Sequence, residues 1–367
     1  MKSIKKTKFT IIFCLLVFLY PSLSQNLSHI ELGNKRGYIL AHTSVIKSMV
    51  RDHFNTLDLN LNFQFDSTSV VYNNFNNPSW GINYMYSNWA AKDLFGSVHG
   101  ISSFINFPLI AKPRFKFIYK MGAGLAYITN PFETDENFHN LAIGSPINAY
   151  INFDFLAHNK LHDRFSLSYG LSFYHTSNAA FTMPNLGINV LSWKVALNYH
   201  INNDYWKNDG DKSKFSPDYK WELRTGINLG VNENYPVLGK KFVPIHIDNN
   251  VARRISRKSS LTIGLDYFFD PALIPYFESK YQRTLPKRLD ISQLGLNVGY
   301  QLHVGNIVPF IQMGHYLHSK YKESGDLYHL VGIAYYINPK IRLNLTLKSH
   351  WAQANHAQLG INYCFKK

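Results

Sequence analysis

Residues 57–65 read Leu-Asp-Leu-Asn-Leu-Asn-Phe-Gln-Phe, and this strict alternation of apolar and polar side chains decides the fold class. Successive side chains of a β-strand point to opposite faces, so the segment predicts a strand with one apolar and one polar face. The same period of two recurs at 147–155, 261–269 and 341–348, with the apolar side chains at odd positions. Helical periodicity is nearly absent from residue 38 onward. The sequence therefore predicts an all-β protein.

Composition separates a membrane barrel from a soluble β-sandwich, which also alternates. Aromatic residues make up 15% of the chain and charged residues only 17%, which is unusual for a soluble exported protein. The polar faces carry small and charged side chains, as a barrel interior does, and aromatic residues crowd the strand ends, as interface girdles do. We therefore predict a transmembrane antiparallel β-barrel of about 14 strands, within a range of roughly 12 to 16.

The N-terminal segment 1–24 predicts a secretory signal peptide. A cluster of lysines precedes an apolar run at 9–20 that is too short to span a bilayer. The remaining residues, 25–367, are predicted to form a single barrel in the bacterial outer membrane, because an open sheet edge cannot exist in lipid. A charged connector at 202–218 separates two parts of similar length, without a residue-level repeat.

Charge and cysteine content exclude several classes of protein. The formal net charge is +15, but the basic residues are scattered along an exported chain, so we expect contacts with anionic lipid head groups and no nucleic-acid binding. Removal of the signal peptide leaves Cys364 alone, without an internal disulfide. We interpret His350 and His356 as rim or turn residues, because they lack the carboxylates of a metal site. No P-loop or cysteine cluster occurs, and no cofactor is expected.

Residues 173–189, Phe-Tyr-His-Thr-Ser-Asn-Ala-Ala-Phe-Thr-Met-Pro-Asn-Leu-Gly-Ile-Asn, depart most from what a structural strand needs. His175 and Ser177 are two apart, which in a strand places both on one face, roughly 6.6 Å apart along the chain. Both continue the odd, lipid-facing register of the strand before them, and Asn189 has the same parity in the next strand. Polar side chains that face lipid are costly unless they pair or function, so we predict a functional site.

The residue types predict an esterase whose substrate lies in the membrane, with its ester at head-group depth. His175 would take the proton of Ser177, and Ser177 would attack the ester carbonyl. Backbone N–H groups of the turn 178–187, together with the Asn178 amide, would hold the oxyanion. The tripeptide His42-Thr43-Ser44 repeats the residue types without the later part of the pattern, and we interpret it as structural.

The run His-Thr-Ser-Asn-Ala at 175–179, followed by Pro-Asn at 184–185 and Gly-Ile-Asn at 187–189, resembles the motif of the lipid A 3-O-deacylase (PagL-type) family, also called acyloxyacyl hydrolases. Two further segments, Gly-Ala-Gly-Leu-Ala-Tyr at 122–127 and Asn-Leu-Ala-Ile-Gly-Ser at 140–145, resemble the longer members of that family. The resemblance implies an outer-membrane esterase that removes an ester-linked acyl chain from lipid A or a related acylated lipid. It also implies a Ser–His–Glu triad on the barrel exterior.

The resemblance covers about residues 36–201, and 220–367 would supply additional strands. It makes Ser177 the nucleophile and His175 the base, and it places Asn185 in the loop that supplies oxyanion stabilisation.

The third member of the triad departs from the family pattern, since Asn189 stands where the family has Glu. An Asn can orient a histidine but cannot stabilise its charged form by charge. Glu133, Asp135 and Glu136 could replace the acid only if their loop folds toward His175. The alternative function is therefore a non-catalytic barrel, a pore or a structural protein, and a homodimer is left open as an assembly.

Overall fold

The computed structural model describes residues 27–202, 204–206, 221–233, 237, 239–282, 287–351 and 353–366. The predicted signal peptide at 1–24 and most of the charged connector at 202–218 lie outside the described residues. None of the helices in the described residues is long and apolar enough to cross a membrane.

Antiparallel strands make up most of the described chain. The strands are β1 (Leu27–Ile39), β2 (Phe54–Gln64), β3 (Ser79–Ser87), β4 (Val98–Lys112), β5 (Phe115–Ile128), β6 (Ile147–Lys160), β7 (Phe165–Ser177), β8 (Ile188–His200), β9 (Trp221–Glu233), β10 (Lys241–Phe242), β11 (Ile245–Arg254), β12 (Ser259–Phe269), β13 (Ser292–Leu302), β14 (Ile307–Ser319), β15 (Leu327–Asn338), β16 (Ile341–His350) and β17 (Gln353–Lys366). Short α-helices span Ser44–Met49, Val70–Asn74, Lys92–Phe95 and Ile274–Tyr281. Single 3₁₀ turns span Asp204–Trp206, Pro271–Leu273 and Arg288–Asp290.

The strands close into two barrels of eight strands each. The first barrel runs from β1 to β8 and closes where β1 pairs with β8, from His29 opposite His200 to Ile39 opposite Val190. The second barrel contains β9 and β11 to β17 and closes where β17 pairs with β9. The two-residue strand β10 extends the end of β9. The predicted class, an all-β antiparallel barrel fold, is confirmed, and the barrel strands in the described part of the chain number sixteen, at the upper end of the predicted range.

The prediction of a single barrel over 25–367 is wrong. It rested on the need to remove open edges in lipid, but closing each half on itself removes the edges equally well. The alternation of apolar and polar side chains gives no information about barrel size, because the same two-faced strand fits a small or a large barrel. The first strand also begins at Leu27, before the region 36–201 in which we noted the resemblance.

The predicted faces of the strands are correct, and the inward-facing side chains fill the barrel interior. In β2, for example, Leu57 is exposed on the outer wall whereas Asp58 is completely buried in the interior. Inside the first barrel, Lys194 Nζ lies 2.6 Å from Asp58, 2.5 Å from Glu31 and 3.5 Å from Asp154. These residues come from four different strands, so one lysine reaches across the interior. An interior filled by side chains in this way is typical of eight strands and leaves no open pore along this part of the barrel.

One edge of the first barrel carries the connections 40–53, 88–97, 129–146 and 178–187, and we call it the site rim. Behind it, the interior is closed by an apolar cluster that includes Tyr150, Tyr174, Ile188 and Val190. Trp89 Nε1 donates a hydrogen bond to the Tyr174 hydroxyl at 2.8 Å. The inward-facing residues at the end of β7 and the start of β8 are therefore packed in a solid core, which fixes the outward-facing residues between them.

The two barrels contact each other at both ends. At the site rim, the Glu233 N–H donates to the Ala180 carbonyl at 2.9 Å, and Lys241 Nζ contacts the Phe181 carbonyl. At the opposite end, Val304 of the second barrel packs in one apolar cluster with residues of the first, including Phe75. The end of β9 and the strand β10 therefore lie against the 178–187 loop.

Candidate active site

Strand pairing brings three polar residues together on the outer wall. His175 of β7 lies directly opposite Asn189 of β8 in the register, and Ser177 ends β7 two residues further on. Because alternate residues of a strand face the same side, His175 and Ser177 both point outward while Tyr174 and Thr176 are buried inside. Ser177 is nevertheless 7% exposed, because the rim connections cover it.

The side chains form a continuous series of hydrogen bonds. His175 Nδ1 lies 2.7 Å from Asn189 Oδ1, and His175 Nε2 lies 2.9 Å from Ser177 Oγ. An amide oxygen only accepts, so the proton of the neutral imidazole is on Nδ1. Nε2 is then the acceptor for the Ser177 hydroxyl, which is the arrangement in which a histidine can remove the serine proton.

Asn178 and Asn185 fold the 178–187 loop around the serine. The Asn178 N–H donates to Asn185 Oδ1 at 2.9 Å. The Asn178 amide Nδ2 donates to the Thr182 carbonyl at 2.8 Å and to Ser145 Oγ at 3.0 Å. Both sequence-predicted residues thus lie at the site, but the Asn178 amide is used within the loop and does not point freely at a substrate.

The two residues after Asn178 have an unusual backbone conformation. Ala179 and Ala180 have φ angles of 55° and 61°, in the left-handed region that residues other than glycine rarely adopt. Their backbone N–H groups have no hydrogen-bond partner within the described residues. Consecutive free N–H groups in a tight turn form a concavity suited to an anion. Strain of this kind concentrates at functional sites, where surrounding contacts hold it in place.

Gly187 packs directly against the histidine and the serine. It has a φ of 72°, and a Cβ at this position would lie 3.0 Å from His175 Cε1 and 3.2 Å from Ser177 Cβ. Its N–H donates to the Ala142 carbonyl at 3.0 Å, so the 140–145 segment supports it from behind. Only a residue without a side chain fits here without displacing the site.

His42 is a site residue that we did not predict. Its Nδ1 lies 3.3 Å from Asn189 Nδ2, and its Nε2 lies 3.1 Å from the Leu186 carbonyl oxygen. In the same tripeptide Thr43 does have a structural role, because its Oγ1 accepts the Ile46 N–H at 3.1 Å and caps a helix. The local sequence around His42 gave no signal of this contact, since Asn189 is 147 residues away.

The other candidate residues take no part in this arrangement. Glu133, Asp135 and Glu136 are exposed, and the partner that the structure gives to His175 Nδ1 is Asn189. His350 Nε2 lies 2.9 Å from the Tyr316 hydroxyl, and His356 Nε2 lies 3.3 Å from Gln358 Oε1. Within the described residues, no group of three or more His, Cys, Asp or Glu side chains is arranged to hold a metal ion.

Fold and site together define a class, a membrane β-barrel that carries a hydrolase-type arrangement of side chains on its outer wall. The family model for lipid A 3-O-deacylase (PagL) matches residues 55–198, and the model for the acyloxyacyl hydrolase C-terminal domain matches residues 219–367. The two matches together span most of the chain and divide it where the two barrels divide. The chain belongs to the PagL family of lipid A deacylases, hydrolases of the bacterial outer membrane.

Solved structures of several barrels are similar to the chain. The crystal structure of the outer membrane enzyme PagL is 17% identical in sequence, and the match covers 47% of this chain and 99% of PagL, with a TM-score of 0.31. A de novo designed transmembrane β-barrel is 12% identical over 41% of this chain and 98% of its own length, with a TM-score of 0.25. A triple mutant of the Rhodopseudomonas blastica porin is 9% identical over 93% of this chain and 100% of the porin, with a TM-score of 0.17. No curated protein sequence matches the chain significantly.

Proposed function

We propose that the protein is a serine esterase that hydrolyses an ester-linked acyl chain of lipid A or a related acylated glycolipid, with Ser177 as nucleophile and His175 as base. The observation that carries this proposal is the series of bonds from Asn189 Oδ1 through His175 to Ser177 Oγ, at 2.7 and 2.9 Å, on the outer wall of a membrane barrel. These distances are within the range of good hydrogen bonds and within reach for proton transfer.

The reaction proceeds in two halves. Ser177 Oγ attacks the ester carbonyl carbon while His175 Nε2 takes the hydroxyl proton, and the C–O bond to the sugar breaks as His175 returns that proton to the leaving oxygen. Water then attacks the acyl-enzyme, giving its proton to His175. The bond to Ser177 breaks, the serine is reprotonated, and a free fatty acid leaves. Each half passes through an oxyanion that needs hydrogen-bond donors.

The 178–187 loop supplies these donors. We assign the role to the free N–H groups of Ala179 and Ala180, which lie two and three residues after the nucleophile in the chain. Asn178 and Asn185 act on the oxyanion indirectly, because their mutual hydrogen bond at 2.9 Å holds this turn in its conformation. Donors that are fixed before the reaction stabilise the developing charge without a cost of reorganisation.

The surroundings of the site suit a substrate held in the bilayer. Below His175 and Asn189 on the same outer face lie exposed apolar side chains, with Leu171 42% and Trp193 66% exposed. An acyl chain can lie along this wall while its ester reaches Ser177. The four connections at the site rim, 40–53, 88–97, 129–146 and 178–187, each have ten or more residues. At the opposite rim 65–78 has 14 residues, but 113–114 and 161–164 have only two and four, so the site rim carries the longer set. Outer-membrane barrels have their longer loops outside the cell, so the site faces the outer leaflet.

Mass spectrometry of lipid A tests the proposal. We expect lipid A from cells that produce the wild-type protein to lose an ester-linked acyl chain, and lipid A from cells with the Ser177→Ala variant to keep it. Ser44→Ala is the matched control, because Ser44 is an exposed serine at the same rim. An acyl pattern that is the same with wild type and Ser177→Ala would refute the esterase and leave a structural role for the barrel.

A further inference from the structure

We propose that His42 is a positioning residue that selects the amide orientation of Asn189 required for catalysis. This inference rests on the proposed roles of His175 and Ser177. His42 does not touch the reacting atoms, and its effect passes through Asn189 alone.

An asparagine in the third position of a triad has a weakness that a carboxylate lacks. A carboxylate can only accept a hydrogen bond, so it always selects the histidine tautomer with the proton on Nδ1. An amide has one end that accepts and one that donates. If Asn189 turned its Nδ2 toward His175, Nδ1 would become the acceptor and Nε2 would carry the proton. His175 could then no longer remove the Ser177 proton, which is the wrong-tautomer defect of serine triads with an amide, worth about 10⁴ in rate.

The contacts of His42 remove this ambiguity. The Leu186 carbonyl, 3.1 Å from His42 Nε2, is an acceptor only, so Nε2 carries the proton of the neutral ring. Nδ1 of His42 is then an acceptor, and it faces Asn189 Nδ2 at 3.3 Å. Asn189 therefore places its donor end toward His42 and its oxygen toward His175 Nδ1, at 2.7 Å. Every donor in the series from Ser177 to the Leu186 carbonyl meets an acceptor.

One competing contact lies near His42. The Leu40 carbonyl oxygen is 3.4 Å from His42 Nδ1, and the other tautomer of His42 would donate to it. The Leu186 carbonyl oxygen lies 3.1 Å from His42 Nε2, which is shorter than the 3.4 Å between the Leu40 carbonyl oxygen and His42 Nδ1. Leu186 is therefore the stronger acceptor of the two. Only the tautomer protonated on Nε2 satisfies both Leu186 and Asn189 together.

The closure of the first barrel brings His42 to this place. The pairing of β1 with β8 ends where the Leu40 N–H donates to the Asn189 carbonyl at 2.8 Å. The chain then turns into the helix Ser44–Met49, capped by Thr43, and His42 lies in this turn beside the start of β8. His42 is exposed on the outer wall, so no interior packing depends on its side chain.

A series of substitutions at His42 tests the proposal by the chemistry that each offers to Asn189. His42→Leu removes the acceptor, and we expect kcat to fall about tenfold, the factor that one hydrogen bond supplies, with KM nearly unchanged. His42→Gln offers both an acceptor and a donor, so kcat should recover to within about threefold of wild type. His53→Leu is the matched control, because His53 is an exposed histidine of the same connection. Equal activity of His42→Leu and wild type would overturn the proposal.

A second background separates positioning from a general role in folding the rim. A carboxylate accepts from His175 Nδ1 in either orientation, so in the Asn189→Glu background we expect His42→Leu to lower kcat less than about twofold. If His42→Leu lowers kcat by the same factor in both backgrounds, His42 supports the rim without orienting Asn189.

A spectroscopic measurement distinguishes failure of this inference from failure of the proposed function. Nitrogen NMR of the full chain in detergent micelles, with isotope-labelled histidines and the His175→Gln variant for assignment, reports which ring nitrogen of His175 is protonated. We expect the proton on Nδ1 in wild type and a substantial shift toward Nε2 in His42→Leu, whether or not the protein hydrolyses any lipid. The positioning role would be refuted if the proton stays on His175 Nδ1 in His42→Leu, or if it lies on His175 Nε2 in wild type.

Discussion

The two barrels share an architecture but differ in where they place their histidine–serine pairs. In the first barrel, His175 Nε2 lies 2.9 Å from Ser177 Oγ on the outer wall. In the second, His303 Nε2 lies 2.8 Å from the hydroxyl of Ser260, which is buried and faces the interior. The distances are almost the same, so distance alone does not identify a reactive pair.

The first barrel also contains a second histidine–serine pair, His200 and Ser166, which can be compared with His175 and Ser177. His200 Nε2 lies 2.8 Å from Ser166 Oγ, but both residues are fully buried inside the barrel, and His200 Nδ1 has no hydrogen-bond partner among the residues that the structure describes. His175 differs in two ways, because its serine lies on the outer wall beneath the rim connections and its Nδ1 is held by Asn189. Position on the outer wall and an oriented imidazole therefore distinguish the proposed active pair from the pairs that fill the interior.

The largest expected effect tests this contrast between the barrels. We expect His175→Gln to lower kcat for acyl release by about 10⁴-fold or more, because the serine loses its base. His303→Gln should leave kcat within about twofold, since its serine is enclosed by the second barrel. The measurement is the rate of fatty-acid release from purified lipid A by the full-length protein in detergent micelles. Comparable losses in the two variants would mean that position on the outer wall is not what makes a pair reactive.

Much of the fold could be predicted because its determinants are local. The alternation in segments such as 57–65 and 341–348 sets which side chains face lipid, and the structure confirms those faces. The number of barrels could not be predicted, because it depends on which strand pairs with β1. That choice is set by contacts between distant strands, such as Lys194 of β8 with Asp58 of β2 at 2.6 Å.

The prediction of a single barrel also explains why His42 and Glu233 were not predicted as site residues. His175, Ser177 and Asn189 lie within one hairpin, so strand parity alone placed them on a common face. His42 reaches Asn189 only because β1 closes against β8, and in a single barrel with all the strands these residues would lie far apart. The hydrogen bond from the Met183 N–H to Glu233 Oε1 could not be predicted either, since it depends on contact between two separately closed barrels.

A glycine in each barrel gives the second test. Gly187 has a φ of 72° and Gly325 of the second barrel has a φ of 80°, so alanine is strained at both. A Cβ on Gly187 would lie 3.0 Å from His175 Cε1, whereas a Cβ on Gly325 would meet nothing within 4 Å. We expect Gly187→Ala to lower kcat about 10- to 100-fold by displacing the imidazole, and Gly325→Ala to leave kcat unchanged. Similar kcat values for the two variants would show that the packing of Gly187 does not position His175.

The smallest expected effect concerns the part that the second barrel plays at the site of the first. Glu233 Oε1 accepts the Met183 N–H at 3.4 Å, and its other oxygen lies 3.1 Å from Lys241 Nζ, which also contacts Thr182 Oγ1 at 3.1 Å. These contacts hold the far side of the 178–187 loop. Because the lysine is partly exposed, each contact contributes about 1 kcal/mol or less, so we expect Lys241→Met to lower kcat about threefold to fivefold without changing the thermal unfolding midpoint.

Lys320→Met provides the matched control for this last prediction. Lys320 Nζ lies 2.7 Å from Asp290 Oδ1, and the two side chains are 45% and 2% exposed, close to the 40% and 2% of Lys241 and Glu233. The ion pair joins the turn Arg288–Asp290 to the end of β14 in the second barrel, so its loss should leave kcat unchanged. A decrease of kcat in Lys241→Met alone would mean that the second barrel stabilises the 178–187 loop of the first barrel. The second barrel would then contribute to catalysis through this contact. Equal kcat values in the two variants would instead mean that the barrels act independently.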